Sequence, residues 1–190
     1  MKALEAYKLF KDFPFDFMNL NYAANSKDES FSPLYIKEMT AVAAEAFKNG
    51  GLKELIRIRQ FRKPLAHIES QTRTHNYCGA GKSLLQTDTK GDLYACNWFM
   101  DDKSESVGHQ EHIDLKKLSP YKEDLIQLHN CNTCWARHLC GGGCMFVNKV
   151  KHQDKHKKDH YFCQRTRSLA AVAINYYIKT LNKGSENETH

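Results

Sequence analysis

Seven cysteines carry the chemistry of this chain: Cys78, Cys96, Cys131, Cys134, Cys140, Cys144 and Cys163. Thiolates are soft ligands, and soft ligands select zinc or iron–sulfur clusters. Two spacings stand out. Cys78 is followed by twelve residues, Gly91, four residues and Cys96. Further on, Cys131-x2-Cys134-x5-Cys140-x3-Cys144 precedes Cys163. Two thiolates two residues apart can grip one metal from a single turn. The odd count argues against a complete disulfide framework. One zinc ion needs four ligands, and Cys131, Cys134, Cys140 and Cys163 could supply them. Cys78, Cys96 and Cys144 then remain as a second set of three. The Gly141-Gly142-Gly143 run lets the backbone pass close to a bulky centre and aim its amides at sulfur. That suits a cluster better than a lone ion, but on spacing alone both stay open.

The elements that position these thiols are partly legible. Residues 83–87 and 92–96 flank the turn Asp88-Thr89-Lys90-Gly91, a hairpin signal that brings Cys78 and Cys96 near each other. Residues 97–130 read as irregular structure with a short helix. A final helix is predicted from about Arg165 to Leu181, with Leu169, Val172, Ala173, Tyr176 and Ile178 largely on one side. The polar tail, Asn182 to His190, reads as disordered. No cysteine precedes position 78, so the chain divides into a cysteine-free and a cysteine-rich part. In the first part, Phe13, Phe15 and Phe17 alternate as in a strand. Ala24 to Ser32 reads as a loop. A helix follows from Pro33 to about Lys48, with Ser32 as N-cap, Pro33 at the first helical position and Gly50 at its end. Its apolar face is Ile36, Met39, Val42, Ala43 and Ala46. Strand, loop and helix make one βα unit. Residues 51–75 fit strand or helix.

With all seven cysteines and Gly91 in place, the pattern resembles the SPASM domain of radical SAM enzymes that mature peptides and proteins. The resemblance extends to GDLYAC at 91–96 and LCGGGC at 139–144, and it covers about residues 75–170. It is similar to anaerobic sulfatase-maturating enzymes and thioether-forming peptide maturases. The resemblance implies two auxiliary 4Fe–4S clusters. Cys78, Cys96 and Cys144 match ligands of the first, and Cys131, Cys134, Cys140 and Cys163 those of the second. It also implies an α+β fold: a small cysteine-rich domain with a β-hairpin and helices around two clusters. Residues 1–74 then correspond to the last βα unit of a partial TIM barrel plus a connector. Residues 171–190 would be the helix end and tail.

The departure from that family is large. Its members hold S-adenosylmethionine on a cluster bound by C-x3-C-x2-C, and no such motif exists here. Cys140 and Cys144 have the first spacing, but position 147 is Val. The expectation is a fragment, a split-gene subunit or an excised piece of an oxidoreductase. S-adenosylmethionine would enter only through a missing barrel domain or a separate radical SAM barrel subunit. The expected role is electron transfer and placement of a peptide or protein substrate. The alternative is a zinc-stabilised module binding nucleic acid or peptide.

Composition bounds these readings. Apolar residues form 41% of the 190-residue chain, as in a soluble globular protein. No apolar run is long enough to span a membrane, the N-terminus does not read as a signal peptide, and a cytoplasmic location is the default. The formal charge of +6 owes much to Lys149, Lys151, Lys155, Lys157 and Lys158, which read as a solvated loop rather than a nucleic-acid surface. Trp98, Phe99 and Trp135 read as ordinary packing beside cysteines. His75, His109, His112, His129 and His138 read as surface or hydrogen-bonding residues. Asn19 and Asn21 read as structural.

Overall fold

The computed structural model describes residues 2–26 and 28–187. It forms two compact units: the described residues of Met1–Thr74 with His160–His190, and His75–Asp159. Together they are α+β, helices plus one small antiparallel sheet.

The first unit is helical. Helix α1 spans Ala3–Phe10, α2 Ser32–Leu55, α3 Arg59–Glu69 and α8 His160–Asn187. Pro33 occupies the first turn of α2, where its missing N–H costs nothing. Met39, Val42, Ala43 and Ala46 recur at helical spacing and are fully buried. They pack with Tyr7, Leu55, Ile58, Phe61 and Leu65, and with Leu169 and Ala173 of α8. At the predicted end of α2, Gly50 and Gly51 leave helical geometry, and Gly51 sits at φ 61°, where glycine is favoured. Ser32 is not the N-cap; it opens the helix, and its hydroxyl accepts from buried Arg165 at 3.1 Å. Arg165 also pairs with Glu29 and lies 4.1 Å over the Tyr22 ring.

The expected strand over 13–22 is reduced to one bridge, Met18 with Ile58. The Met18 amide donates to the Arg57 carbonyl at 2.7 Å, and the Arg59 amide to that of Met18 at 2.9 Å. Helix α3 begins at Arg59, so no further backbone partners follow. The Arg57 guanidinium instead donates to the carbonyls of Phe13 and Phe15, each at 3.0 Å. The predicted βα unit therefore keeps its helix and loses its strand. The chain end also differs from expectation. Helix α8 starts at His160 and runs on through Asn187, over part of the tail read as disordered; residues 188–190 lie outside the described residues. No proline interrupts 182–187.

The second unit is built on the predicted hairpin. Strands β1 (Gln86–Thr87) and β2 (Asp92–Tyr94) pair antiparallel, and β3 (Ser106–His109) and β4 (His112–Ile113) extend the sheet in that order. Asp88 closes the turn by accepting from the amides of Lys90 and Asp92, both at 2.9 Å. The β3–β4 hairpin falls where irregular structure was expected. Both strands are too short to show alternation in sequence. Short helices follow: α4 (Leu115–Leu118), α5 (Leu125–Leu128), α6 (Arg137–Cys140) and α7 (Met145–His152). Asp114 and Asp124 cap α4 and α5 through their side chains. The sheet-side core is small: Tyr94, Ala95, Phe99, Val107, Leu118 and Tyr121.

Gly141, Gly142 and Gly143 all have positive φ, at 75°, 89° and 103°. A Cβ on Gly141 would lie 2.2 Å from the carbonyl carbon of Asn76, a backbone atom that cannot yield. Gly141→Ala is therefore expected to cost at least about 2 kcal/mol, combining left-handed strain with a clash. Urea unfolding of the two proteins checks this, and an unchanged midpoint would refute the close approach.

Candidate metal centre

Three cysteines from three distant stretches of chain line one open cleft of the second unit. Cys78 precedes the tight turn in which the amides of Lys82, Ser83 and Leu84 all donate to the Gly79 carbonyl. Cys96 lies two residues past the end of β2 and starts a 3-10 turn over Asn97–Phe99. Cys144 is the N-cap of α7, delivered by the three-glycine turn. All three residues line a cleft of about 410 Å³, its solvent mouth included, whose other walls include Tyr77, Lys82, Tyr121 and Phe146. Burial pushes the Cys144 thiol up to about 11, against donation from the backbone at Val147 and Phe146, and Cys78 and Cys96 add to the rise. Burial also raises Cys96, with Cys78 a further cause. A bound cation would relieve that burial penalty, because a metal-bound thiolate shares its charge.

Cys131 and Cys134 bracket a 3-10 turn, with the Cys134 amide donating to the Cys131 carbonyl at 2.9 Å. Burial raises the Cys131 thiol; Lys158 opposes the rise and Cys134 adds to it. Cys140 ends α6, and Cys163 stands in the first turn of α8, within the first unit. All seven cysteines are free of disulfides. The donor set fits a multi-iron group. Thiols spread around a cleft suit a body whose iron corners each take one thiolate. The glycine turn packs tightly on α5, since a Cβ at Gly142 would meet Leu125 at 2.5 Å. Among the described residues, no three His, Cys, Asp or Glu side chains converge on a single-ion position.

Behind the cleft lies a feature the sequence did not disclose. Glu105, only 6% exposed, is clasped by Lys149 at 2.6 Å, by Lys155 and by the Tyr121 hydroxyl. Lys149 also binds Asp102 at 2.9 Å. Burial pushes Glu105 up, but the hydrogen bonds from Lys149, Lys155 and Tyr121 outweigh it and hold the carboxyl below its usual value. The predicted solvated run is thus in part structural. Lys149 belongs to α7, and Lys158 donates to the His129 carbonyl at 2.8 Å. The only sequence signal was the i,i+6 recurrence of lysine, which nothing tied to Glu105.

The remaining candidates are now placed. His129 is buried, with its ring nitrogens 2.8 Å from the carbonyls of Gly142 and His156. His109 contacts Asp92 at 3.0 Å, and the His75 and His138 rings meet edge-on at 5.4 Å. His112 pairs across the β3–β4 hairpin. Gln60 donates to Asn19 and Asn21 at 2.9 and 2.7 Å. Phe99 is core, whereas Trp98 and Trp135 are 57% and 54% exposed and do not follow the packing expectation.

No family model matches the sequence, and no curated protein matches it. The fold is similar to a solved structure of hexahistidine-tagged anSMEcpe, an anaerobic sulfatase-maturating enzyme, with bound AdoMet. The TM-score is 0.61 at 22% identity, and the match covers 96% of this chain. This chain spans about half of that one, 53% of its length. None of the described helices is long and apolar enough to cross a membrane.

The Glu105 clasp has a pH signature. A carboxyl held below its ordinary value of 4.5 contributes stability that is complete above that pH and is lost as pH falls through the lower folded value. Glu105→Gln should cost about 2 kcal/mol at pH 7, by leaving Lys155 without its counter-charge and Lys149 with Asp102 alone. It should also flatten the loss of stability on acidification. Urea midpoints at pH 7 and pH 4 test both, and parallel pH dependences would remove Glu105 from the account.

Proposed function

We propose that this chain supplies the auxiliary iron–sulfur domain of a radical SAM maturase acting on peptide or protein side chains. The observation that carries the reading is the meeting of Cys78, Cys96 and Cys144 in one cleft. Cys144 lies four residues from Cys140 and 48 from Cys96, yet it shares the cleft with Cys96. The likeness of fold to a sulfatase-maturating enzyme supports the same reading.

In this reading Cys78, Cys96 and Cys144 hold one 4Fe–4S cluster, and Cys131, Cys134, Cys140 and Cys163 hold the other. The clusters supply reversible one-electron chemistry when bound. This chain's own residues fix their places. The glycine turn lets Cys144 approach, and the Glu105 clasp holds Tyr121 in the cleft wall. S-adenosylmethionine, and the cluster that cleaves it, belong to a barrel outside this sequence. The nucleic-acid alternative loses ground here, because Lys149, Lys155 and Lys158 are engaged within the unit.

Anaerobic reconstitution with iron and acid-labile sulfide tests the proposal. The intact chain should take up about eight irons with matching sulfide, two cubes of four. Cys134→Ala should lose one cluster's paramagnetic signal and Cys144→Ala the other's. Zinc uptake without sulfide would overturn the reading. Loss of the same signal in both variants would overturn the ligand sets.

A further inference from the structure

A second group of metal-type ligands lies away from the cysteines, across one face of the sheet. Asp92 of β2 is the register partner of His109 of β3, and His109 is in turn that of His112 of β4. Directly opposed residues put their side chains on the same face, with Cβ atoms about 5 Å apart. Asp92, His109 and His112 therefore form one row across the strands. Gln110 and Glu111 make the loop that joins the two histidines, with Gln110 at φ 50°. Both imidazoles are exposed, His109 at 54%.

His109 is also held in one tautomer. Its Nδ1 lies 3.0 Å from an Asp92 carboxylate oxygen. An ionised carboxylate only accepts, so Nδ1 carries the proton and Nε2 keeps the lone pair. The ring sits close to Gly91, where a Cβ would lie 3.4 Å from its Cε1. The other oxygen of Asp92 is taken by Lys103, which also reaches Asp88 at 3.4 Å. Asp92 thus orients His109 and is not itself a ligand. A carboxylate on the far nitrogen is the usual support of a metal-bound histidine.

We infer that His109 and His112 form a surface site for a divalent transition-metal ion of the zinc class. Paired imidazoles suit zinc or nickel, whereas magnesium and calcium take oxygen ligands. His109 coordinates through Nε2, His112 through a ring nitrogen, and water fills the remaining positions. Two coordination bonds form, water leaves the ion, and no proton or electron is transferred. The site uses no cysteine and stands apart from the cluster reading. Bound there, the ion pins β4 to β3, a pairing only two residues long.

The test uses the full chain, anaerobically purified with isotope-labelled histidine, and follows the ring nitrogens by NMR as zinc chloride is added. Each ring reports separately, so zinc taken by cysteines is not counted. The expected result is a joint, saturable shift of His109 and His112 with one midpoint, and none with magnesium. His112→Ala, at an exposed position, should abolish the saturable shift of His109. Asp92→Asn keeps the side-chain shape and should weaken zinc about tenfold to hundredfold. An unmoved signal from buried His129 shows that a variant is folded, and His112→Gln replaces His112→Ala if that signal moves. No shift of either ring, a shift of one alone, or a response no tighter than that of the other exposed histidines would overturn the inference. So would an undiminished response in either variant.

Discussion

The second unit depends on how closely two stretches of backbone can approach. Gly141 packs against the peptide joining Asn76 and Tyr77, at a distance no side chain could share. That contact brings the segment before Cys78 against the segment before Cys144. Both cysteines then line the same cleft, although 65 residues separate them in the chain. Three consecutive left-handed residues reverse the chain sharply enough to part Cys144 from Cys140 and start α7. Only glycine adopts that run without strain. The unit's sheet-side apolar core is six residues, too few to fix such a geometry alone. Backbone proximity, and a bound inorganic centre under the proposed function, supply what the core lacks.

The Glu105 clasp works at the other side of the same problem. A buried carboxylate facing two ammonium groups and a phenol is costly to assemble, and it specifies geometry more than it adds stability. It joins the turn before β3 to Tyr121, to α7 and to the loop after α7. Those segments carry or border the cleft. His129 adds a second tie, from the end of α5 to the carbonyl of Gly142. Polar contacts therefore hold the cysteine-bearing loops where apolar contacts are sparse.

Legibility in the sequence followed the range of the interactions. The hairpin at Asp88–Gly91 and the apolar face of α2 are local, and both were readable from turn chemistry and periodicity. The break at Gly50 and Gly51 was readable for the same reason. The strand over 13–22 was misread because alternation reports side-chain facing and says nothing about a partner for the backbone; Arg57 took the carbonyls a neighbouring strand would have used. Lys149 and Lys155 were misread because their partner, Glu105, stands more than forty residues away. The gathering of Cys78, Cys96 and Cys144 came from a resemblance of spacing. The hairpin signal joined Cys78 to Cys96, but nothing local in the sequence would have added Cys144.

Trp98 shows where a packing argument fails. Burial is the usual fate of tryptophan, and its neighbour Phe99 is buried. Trp98 stays 57% exposed and stacks on Phe146 with ring centroids 5.4 Å apart. Phe146 in turn lines the cysteine cleft and meets Phe99 edge-on at 5.3 Å. The three rings form a layer from the core to the surface along one wall of the cleft. An indole left half in water contributes less burial than one in the core, so packing alone does not account for its place. Under the proposed function, an aromatic layer beside Cys96 would limit water at a bound cluster, and water access is one of the levers that set a cluster's potential.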